Sequence, residues 1–94
     1  MSERTADALA KLDELLVPLK NLPKTGDTER LLEHAEALRR AVAAFHMEAI
    51  RFRMYSVDRD LKTVGDDPAM RRMYEALRQA LETAGFHTRS HTAP

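Results

Sequence analysis

The sequence contains no cysteine and no tryptophan, and only three glycines, three phenylalanines and two tyrosines. The absence of cysteine excludes disulfide frameworks, thiolate zinc sites and thiol catalysis. Charge of one sign is also lacking, since 15 basic residues balance 15 acidic ones, and the segments 1–24 and 65–94 are each balanced as well. Proteins that bind nucleic acid or anionic membrane surfaces usually carry a basic face, so this balance argues against both classes.

Long hydrophobic runs are missing too. No stretch approaches the length of about 20 apolar residues that a membrane span needs. The first residues, MSERTADALAKLDELL, carry acidic side chains where a signal peptide has an apolar run. We therefore expect a protein that stays in the cytoplasm and has no membrane partner.

Apolar residues recur at helical spacing and predict an all-α fold. Three helices are expected, over residues 4–17, 28–64 and 68–84, within a single domain of residues 1–86. The polar segment 87–94 is predicted to form a flexible C-terminal tail.

The predicted helix boundaries follow from capping and proline chemistry. Pro18 should end the first helix near Val17, because proline removes a backbone hydrogen bond and clashes with the preceding turn. Asp27 or Thr28 is the expected N-cap of the second helix. In the third helix Asp67 should be the N-cap and Pro68 the first helical residue, and Gly85 should take the left-handed conformation that folds Phe86 back towards Leu81.

The second predicted helix is unusual because the segment 28–64 contains neither glycine nor proline. At about 100° per residue its apolar residues form two stripes that overlap between Phe45 and Phe52. One stripe consists of Leu31, Ala35, Leu38, Val42, Phe45, Ala49 and Phe52, and the other of Met47, Ile50, Met54, Val57, Leu61 and Val64. An unbroken helix of this length spans roughly 55 Å, well beyond the roughly 32 Å of a compact domain of this size.

These stripes predict a three-helix antiparallel arrangement around a long central helix, and two such chains would form a dimeric helical bundle. The doubly apolar stretch places Phe45, Ala49 and Phe52 in the dimer interface. The alternative is that the second helix breaks near Ser56, where Tyr55, Ser56 and Val57 are weak helix formers, and that the chain folds as a compact four-helix monomer.

Polar residues within the same helix supply the candidate ligand site. His46, Glu48, Arg51, Arg53 and Tyr55 could line a small pocket in which Glu48 acts as a base and an arginine holds an anion. The spacing lacks both the Glu-x-x-His pattern of bundle di-iron sites and the H-E-x-x-H pattern, so we expect no metal and no cofactor.

A second polar group lies between the two apolar stripes of that predicted helix. Arg39, His46, Arg53 and Asp60 follow one another at seven-residue steps and would form a strip on an unbroken helix. The pattern favours ion pairing or an anion site over a metal site, because two cationic neighbours would repel a metal ion. One polar residue in an apolar seam also commonly fixes the register of a helix pair.

Three hypotheses about function follow. The first is a non-catalytic homodimer that binds an unidentified protein through a helix face or through a groove lined by Met47, Met54, Met70 and Met73. The second is a ligand-, anion- or metal-binding bundle, with or without enzymatic activity, whose site lies around residues 46–60. The third is nucleic-acid binding through Arg71, Arg72, Arg78 and Arg89, which the charge balance disfavours.

Overall fold

The computed structural model describes residues 3–86 and contains four helices in that range, with no strand. The helices are α1 (Glu3–Lys20), α2 (Gly26–Ala43), α3 (Met47–Thr63) and α4 (Pro68–Thr83). The all-α class is therefore confirmed, and the predicted tail lies outside the described residues. None of the four helices combines the length and the apolar character needed to cross a membrane.

The four helices pack in a ring, in chain order. α1 packs against α2 and α4, and α2 packs against α3. The backbones of α3 and α4 approach each other over only a short stretch. Within residues 3–86 the backbones of α1 and α3, and those of α2 and α4, do not meet. One core fills the ring, and its largest fully buried side chains include Leu12, Leu38, Met54, Tyr74 and Leu81.

The first helix runs three residues beyond its predicted end. Pro18 lies inside α1, which continues to Lys20. Leu19 is almost fully buried in the core. Burial of such a side chain is worth roughly 1.5–3 kcal/mol, enough to offset the hydrogen bond that proline removes. The side-chain amide of Asn21 donates to the carbonyl of Val17 and satisfies one group at this helix end.

The prediction of one helix over residues 28–64 is wrong, because the chain turns between α2 and α3. Phe45 adopts a positive φ of 60°. The amide of Phe45 donates to the carbonyl of Val42, and the amide of His46 donates to the carbonyl of Ala41. This pair of hydrogen bonds is the Schellman motif, in which a residue in the left-handed conformation ends a helix.

The alternative prediction of four helices gave the right number, but it placed the break near Ser56 instead of at Phe45. Ser56 lies inside α3, buried, and its hydroxyl donates to the carbonyl of Phe52 one turn earlier. A mid-helix serine can satisfy its hydroxyl in this way without ending the helix. The chain has a radius of gyration of 12.3 Å, the value expected for a compact domain of this length, about 12 Å.

The later helix ends follow the predicted chemistry. Gly65 and Gly85 have positive φ values of 112° and 101° and end α3 and α4 by the same Schellman motif. Asp67 caps α4 with Pro68 at its start, and Phe86 is buried with its amide bonded to the carbonyl of Leu81. These predictions are confirmed.

The start of α2 lies slightly earlier than predicted. Thr25, not Asp27 or Thr28, is the N-cap, and its side chain accepts a hydrogen bond from the amide of Thr28. The hydroxyl of Thr28 in turn accepts from the amide of Thr25. A threonine therefore fills the position that glutamate or glutamine usually takes in a capping box.

The break at Phe45 can be tested with two substitutions that both remove the ring. We expect Phe45→Gly to be more stable than Phe45→Ala by about 1 kcal/mol, because glycine adopts the left-handed conformation without steric cost. An unbroken helix would give the opposite sign, since alanine exceeds glycine there by about 1 kcal/mol. Urea unfolding measures the difference.

A matched pair at an exposed position inside α2 serves as the control for that experiment. Glu33→Ala should be more stable than Glu33→Gly, the reverse of the order at Phe45, because Glu33 is exposed within a regular helix. The same order at both positions would contradict the helix break.

Candidate functional site

The five predicted ligand residues lie at the start and along the first half of α3. His46 is the N-cap of α3, and its Nδ1 accepts a hydrogen bond of 3.3 Å from the amide of Ala49. Glu48 is in the first turn of α3, where the helix dipole stabilises a negative charge. The backbone amide of His46 therefore belongs to the Schellman motif that ends α2, and its side chain caps the start of α3.

No pocket joins these side chains within the part of the chain that the structure describes. Glu48 is almost fully exposed and lies 4.0 Å from Arg51, a distance typical of a weak surface pair. The guanidinium of Arg53 packs over the ring of Phe52, 5.2 Å from its centroid. Residues 3–86 also contain no group of three histidine or carboxylate side chains that could hold a metal ion.

The break between α2 and α3 separates Arg39 from the rest of the predicted polar strip. Arg39 binds Asp13 of α1, with Nε 2.7 Å and Nη2 3.2 Å from the two carboxylate oxygens. Asp60 binds His34 of α2. Arg53 and Asp60 still share one side of α3 with its N-cap His46, whereas Arg39 lies on α2. The strip of four residues is therefore wrong, because it required an unbroken helix from Arg39 to Asp60.

The pair of His34 and Asp60 links α2 to α3. The Nδ1 atom of His34 lies 2.6 Å from Oδ2 of Asp60, whose side chain is only 7% exposed. Carboxylates orient imidazoles in this way in hydrolase triads. Ser56, one turn before Asp60, directs its hydroxyl to its own helix, so it is not presented to the imidazole as a nucleophile. The pair is best interpreted as a structural tie between two helices.

A polar network that the sequence analysis missed joins α3 to α4. Arg71 donates to Asp58 at 2.6 Å and to Asp66 at 2.8 Å. The side chain of Arg71 is only 21% exposed. Asp58 also lies 3.4 Å from Lys62, one turn later on α3, and its side chain is only 17% exposed. Spacing within one helix could not reveal a pair separated by 13 residues.

Tyr74 occupies the centre of that network. Its hydroxyl donates to the backbone carbonyl of Met54 at 2.9 Å and accepts from Arg78 at 3.3 Å. The guanidinium groups of Arg71 and Arg78 lie 5.1 and 5.2 Å from the ring centroid. Burial raises the pKa of Tyr74 to about 12, because the neutral phenol is favoured away from water. The residue therefore acts as a neutral hydrogen-bond donor between helices.

Two of the four arginines named for nucleic-acid binding are already held by the chain's own carboxylates. Arg71 contacts Asp58 and Asp66, and Nε of Arg78 lies 3.3 Å from Glu75. Arg72 is exposed, and the predicted contribution of Arg89 lies outside the described residues. A phosphate backbone would have to compete with these internal ion pairs.

The methionines do not form a groove. Met54 and Met70 are buried in the core, and Met73 packs partly against it. Met47 is exposed at the start of α3. Flexible methionine side chains fill irregular gaps in a core, and that is the use found for three of the four here.

The remaining surface feature is the outer face of α3, which carries large side chains in contact with water. Phe52 is 52% exposed and Tyr55 is 37% exposed. The guanidinium of Arg59 lies 5.8 Å from the centroid of the Tyr55 ring. Phe45 is partly exposed as well, with its ring packed edge-on against Phe86 at a centroid distance of 5.1 Å. Ala49, by contrast, packs partly against the chain's own core.

Comparison with known proteins adds no assignment, since no family model, curated protein or solved structure matches the chain. Function must therefore be argued from the exposed face of α3 and from the network between α3 and α4.

The network predicts a specific dependence of stability on Asp58. Burial opposes ionisation of this carboxyl, but the hydrogen bond and charge of Arg71, with help from Lys62, hold its pKa below the usual 3.8. The ionised form therefore stabilises the fold above that value, and the contribution is lost as the pH falls through the folded-state pKa. We expect Asp58→Asn to lower the free energy of unfolding at pH 7 by about 1–3 kcal/mol.

The same variant should lose less stability than the parent chain when the pH falls from about 5 to 3, because the titrating group is gone. Urea unfolding at both pH values measures this. Asp13→Asn, which breaks the exposed pair with Arg39, is the control and should cost under about 1 kcal/mol at pH 7. Equal losses from the two variants at pH 7 would contradict the network's role.

Proposed function

We propose that the protein is a non-catalytic helical assembly module that acts as a homodimer through the exposed face of α3. The observation that carries this proposal is the pair of large aromatic side chains, Phe52 and Tyr55, held in water on one helix face. Exposed aromatic residues flanked by arginines are typical of the centre of protein interfaces.

The folded chain leaves less apolar surface for a dimer than an unbroken second helix would leave. An unbroken helix would have left apolar surface uncovered in each half. The turn at Phe45 lets α2 and α3 pack against each other, so that most of this surface is buried within one chain. Phe45 and Phe52 keep partly exposed rings, while Ala49 contributes to the monomer's core. The proposed interface therefore centres on Phe52 and Tyr55.

A non-catalytic role is favoured because the polar side chains that could serve catalysis are bound within the chain. The imidazole of His34 is bound by Asp60, and the hydroxyl of Ser56 is bound within α3. His46 caps a helix, and the face of α3 is open to solvent with no pocket in residues 3–86 that could exclude water from a reaction. A protein surface, which needs no cavity, fits this face better than a small ligand.

Sedimentation equilibrium over a wide range of protein concentration tests the proposal. We expect a reversible dimer with a dissociation constant in roughly the micromolar range, as is typical of small interfaces. Phe52→Ser should weaken association at least about tenfold, because a buried aromatic anchor would be lost from both chains.

Val17→Ser is the matched control for Phe52→Ser. Val17 is the most exposed large apolar residue described, at 61%, and it lies on α1, which does not approach α3. Its substitution should leave the dissociation constant unchanged. A chain that stays monomeric throughout the concentration range, or equal effects of the two substitutions, would contradict the proposal.

A further inference from the structure

The outer face of α3 carries charges of opposite sign at its two ends. Glu48 is near the start of the helix with its side chain 84% exposed, and Arg59 is near the end at 56%. Phe52 and Tyr55 lie between them. At about 100° per residue these four positions fall within an arc of about 60°, on the side opposite the buried Ile50, Met54, Val57 and Leu61.

The spacing of the four residues is symmetric along the helix. Glu48 precedes Phe52 by four residues, and Tyr55 precedes Arg59 by four. The midpoint between Glu48 and Arg59 therefore coincides with the midpoint between Phe52 and Tyr55, and it lies between Arg53 and Met54. A two-fold axis through that midpoint, perpendicular to α3, would exchange the acidic end of one chain with the basic end of another. Such an axis generates an isologous interface, in which every contact occurs twice.

We propose that α3 pairs antiparallel with α3 of a second copy of the chain, in the register that sets Glu48 against Arg59 and Phe52 against Tyr55. This proposal rests on the proposed function and specifies its geometry. Charge complementarity selects the arrangement, because parallel pairing would bring Glu48 to Glu48 and Arg59 to Arg59. The contact from Glu48 to Arg59 extends over about 17 Å of helix.

The two charged side chains that would pair across the axis, Glu48 and Arg59, form only long ion pairs within their own chain. Glu48 is 4.0 Å from Arg51, and the Nε atom of Arg59 is 3.7 Å from Oδ1 of Asp60, which His34 already binds. Exposed pairs at such distances contribute little, so both head groups can reorient towards a second chain at small cost. The guanidinium of Arg59, which lies 5.8 Å from the centroid of the Tyr55 ring, would turn from that ring towards the carboxylate.

Charge exchange at the two ends tests the register. Glu48→Arg and Arg59→Glu each place like charges together at two symmetric positions, and each should weaken self-association about tenfold. The chain with both substitutions should return to within about threefold of the parent dissociation constant. Thermal unfolding of every variant confirms that each remains folded, since Glu48→Arg also removes a favourable charge from the first turn of α3.

Mixing the two single variants gives the sharpest test. One supplies only basic and the other only acidic side chains at the two positions, so an antiparallel heterodimer restores both opposite-charge contacts. We expect the mixture to associate at least about tenfold more tightly than either variant alone, with the preference reduced at high salt. Sedimentation with one variant fluorescently labelled measures it.

The outcomes separate the register from the proposed function. If Phe52→Ser disrupts the dimer but the single charge variants keep the parent dissociation constant and show no preference for each other, the register is wrong and the α3 interface stands. If the parent chain remains monomeric at every concentration, both proposals are overturned. Restoration in the mixture supports the antiparallel pairing.

Discussion

The fold depends on one backbone conformation, the left-handed turn at Phe45. A phenylalanine in that conformation costs roughly 1–2 kcal/mol, which local structure does not repay. The cost is met by tertiary contacts, because the ring of Phe45 packs edge-on against Phe86 with an interplanar angle of 74°. Phe86 is itself fixed by the Schellman motif that ends α4. The C-terminal ends of α2 and α4 therefore hold each other, although the two helices do not pack together.

That turn also determines what the polar residues do. His46 becomes the N-cap of α3, and α3 rotates away from the line of α2, so that Asp60 meets His34 and Asp58 meets Arg71. The brief backbone contact between α3 and α4 is supplemented by the hydroxyl of Tyr74, which reaches the carbonyl of Met54. Polar ties of this kind close the ring of helices where apolar packing is thinnest.

The exposed face of α3 is the consequence for function. With its other sides committed to the core, to His34 and to Arg71, this helix presents only the side that carries Phe52 and Tyr55. The proposed two-fold pairing would use that side alone and leave the monomer's core unchanged. An interface made by one short helix is small, which suits reversible assembly more than a permanent complex.

Local sequence signals determined the all-α class, the ends of α4 and the amphipathic core of each helix. The roles of Asp67, Pro68 and Gly85 could be predicted from the sequence, because capping and left-handed turns depend on residue type. Phe45 carries no such signal, because glycine or asparagine normally takes this position at the end of a helix. The ion pairs Asp58–Arg71 and His34–Asp60 followed from the same turn.

The sequence by itself thus determined the all-α class and the apolar faces of the helices, since both depend on neighbours within one or two turns. Only the tertiary structure decided where the long apolar segment breaks, because the stabilising contact at Phe45 comes from Phe86, 41 positions further along the chain. A strained turn can persist where packing against a distant segment contributes more free energy than the strained conformation costs. The residues next to the turn do not reveal that distant contribution.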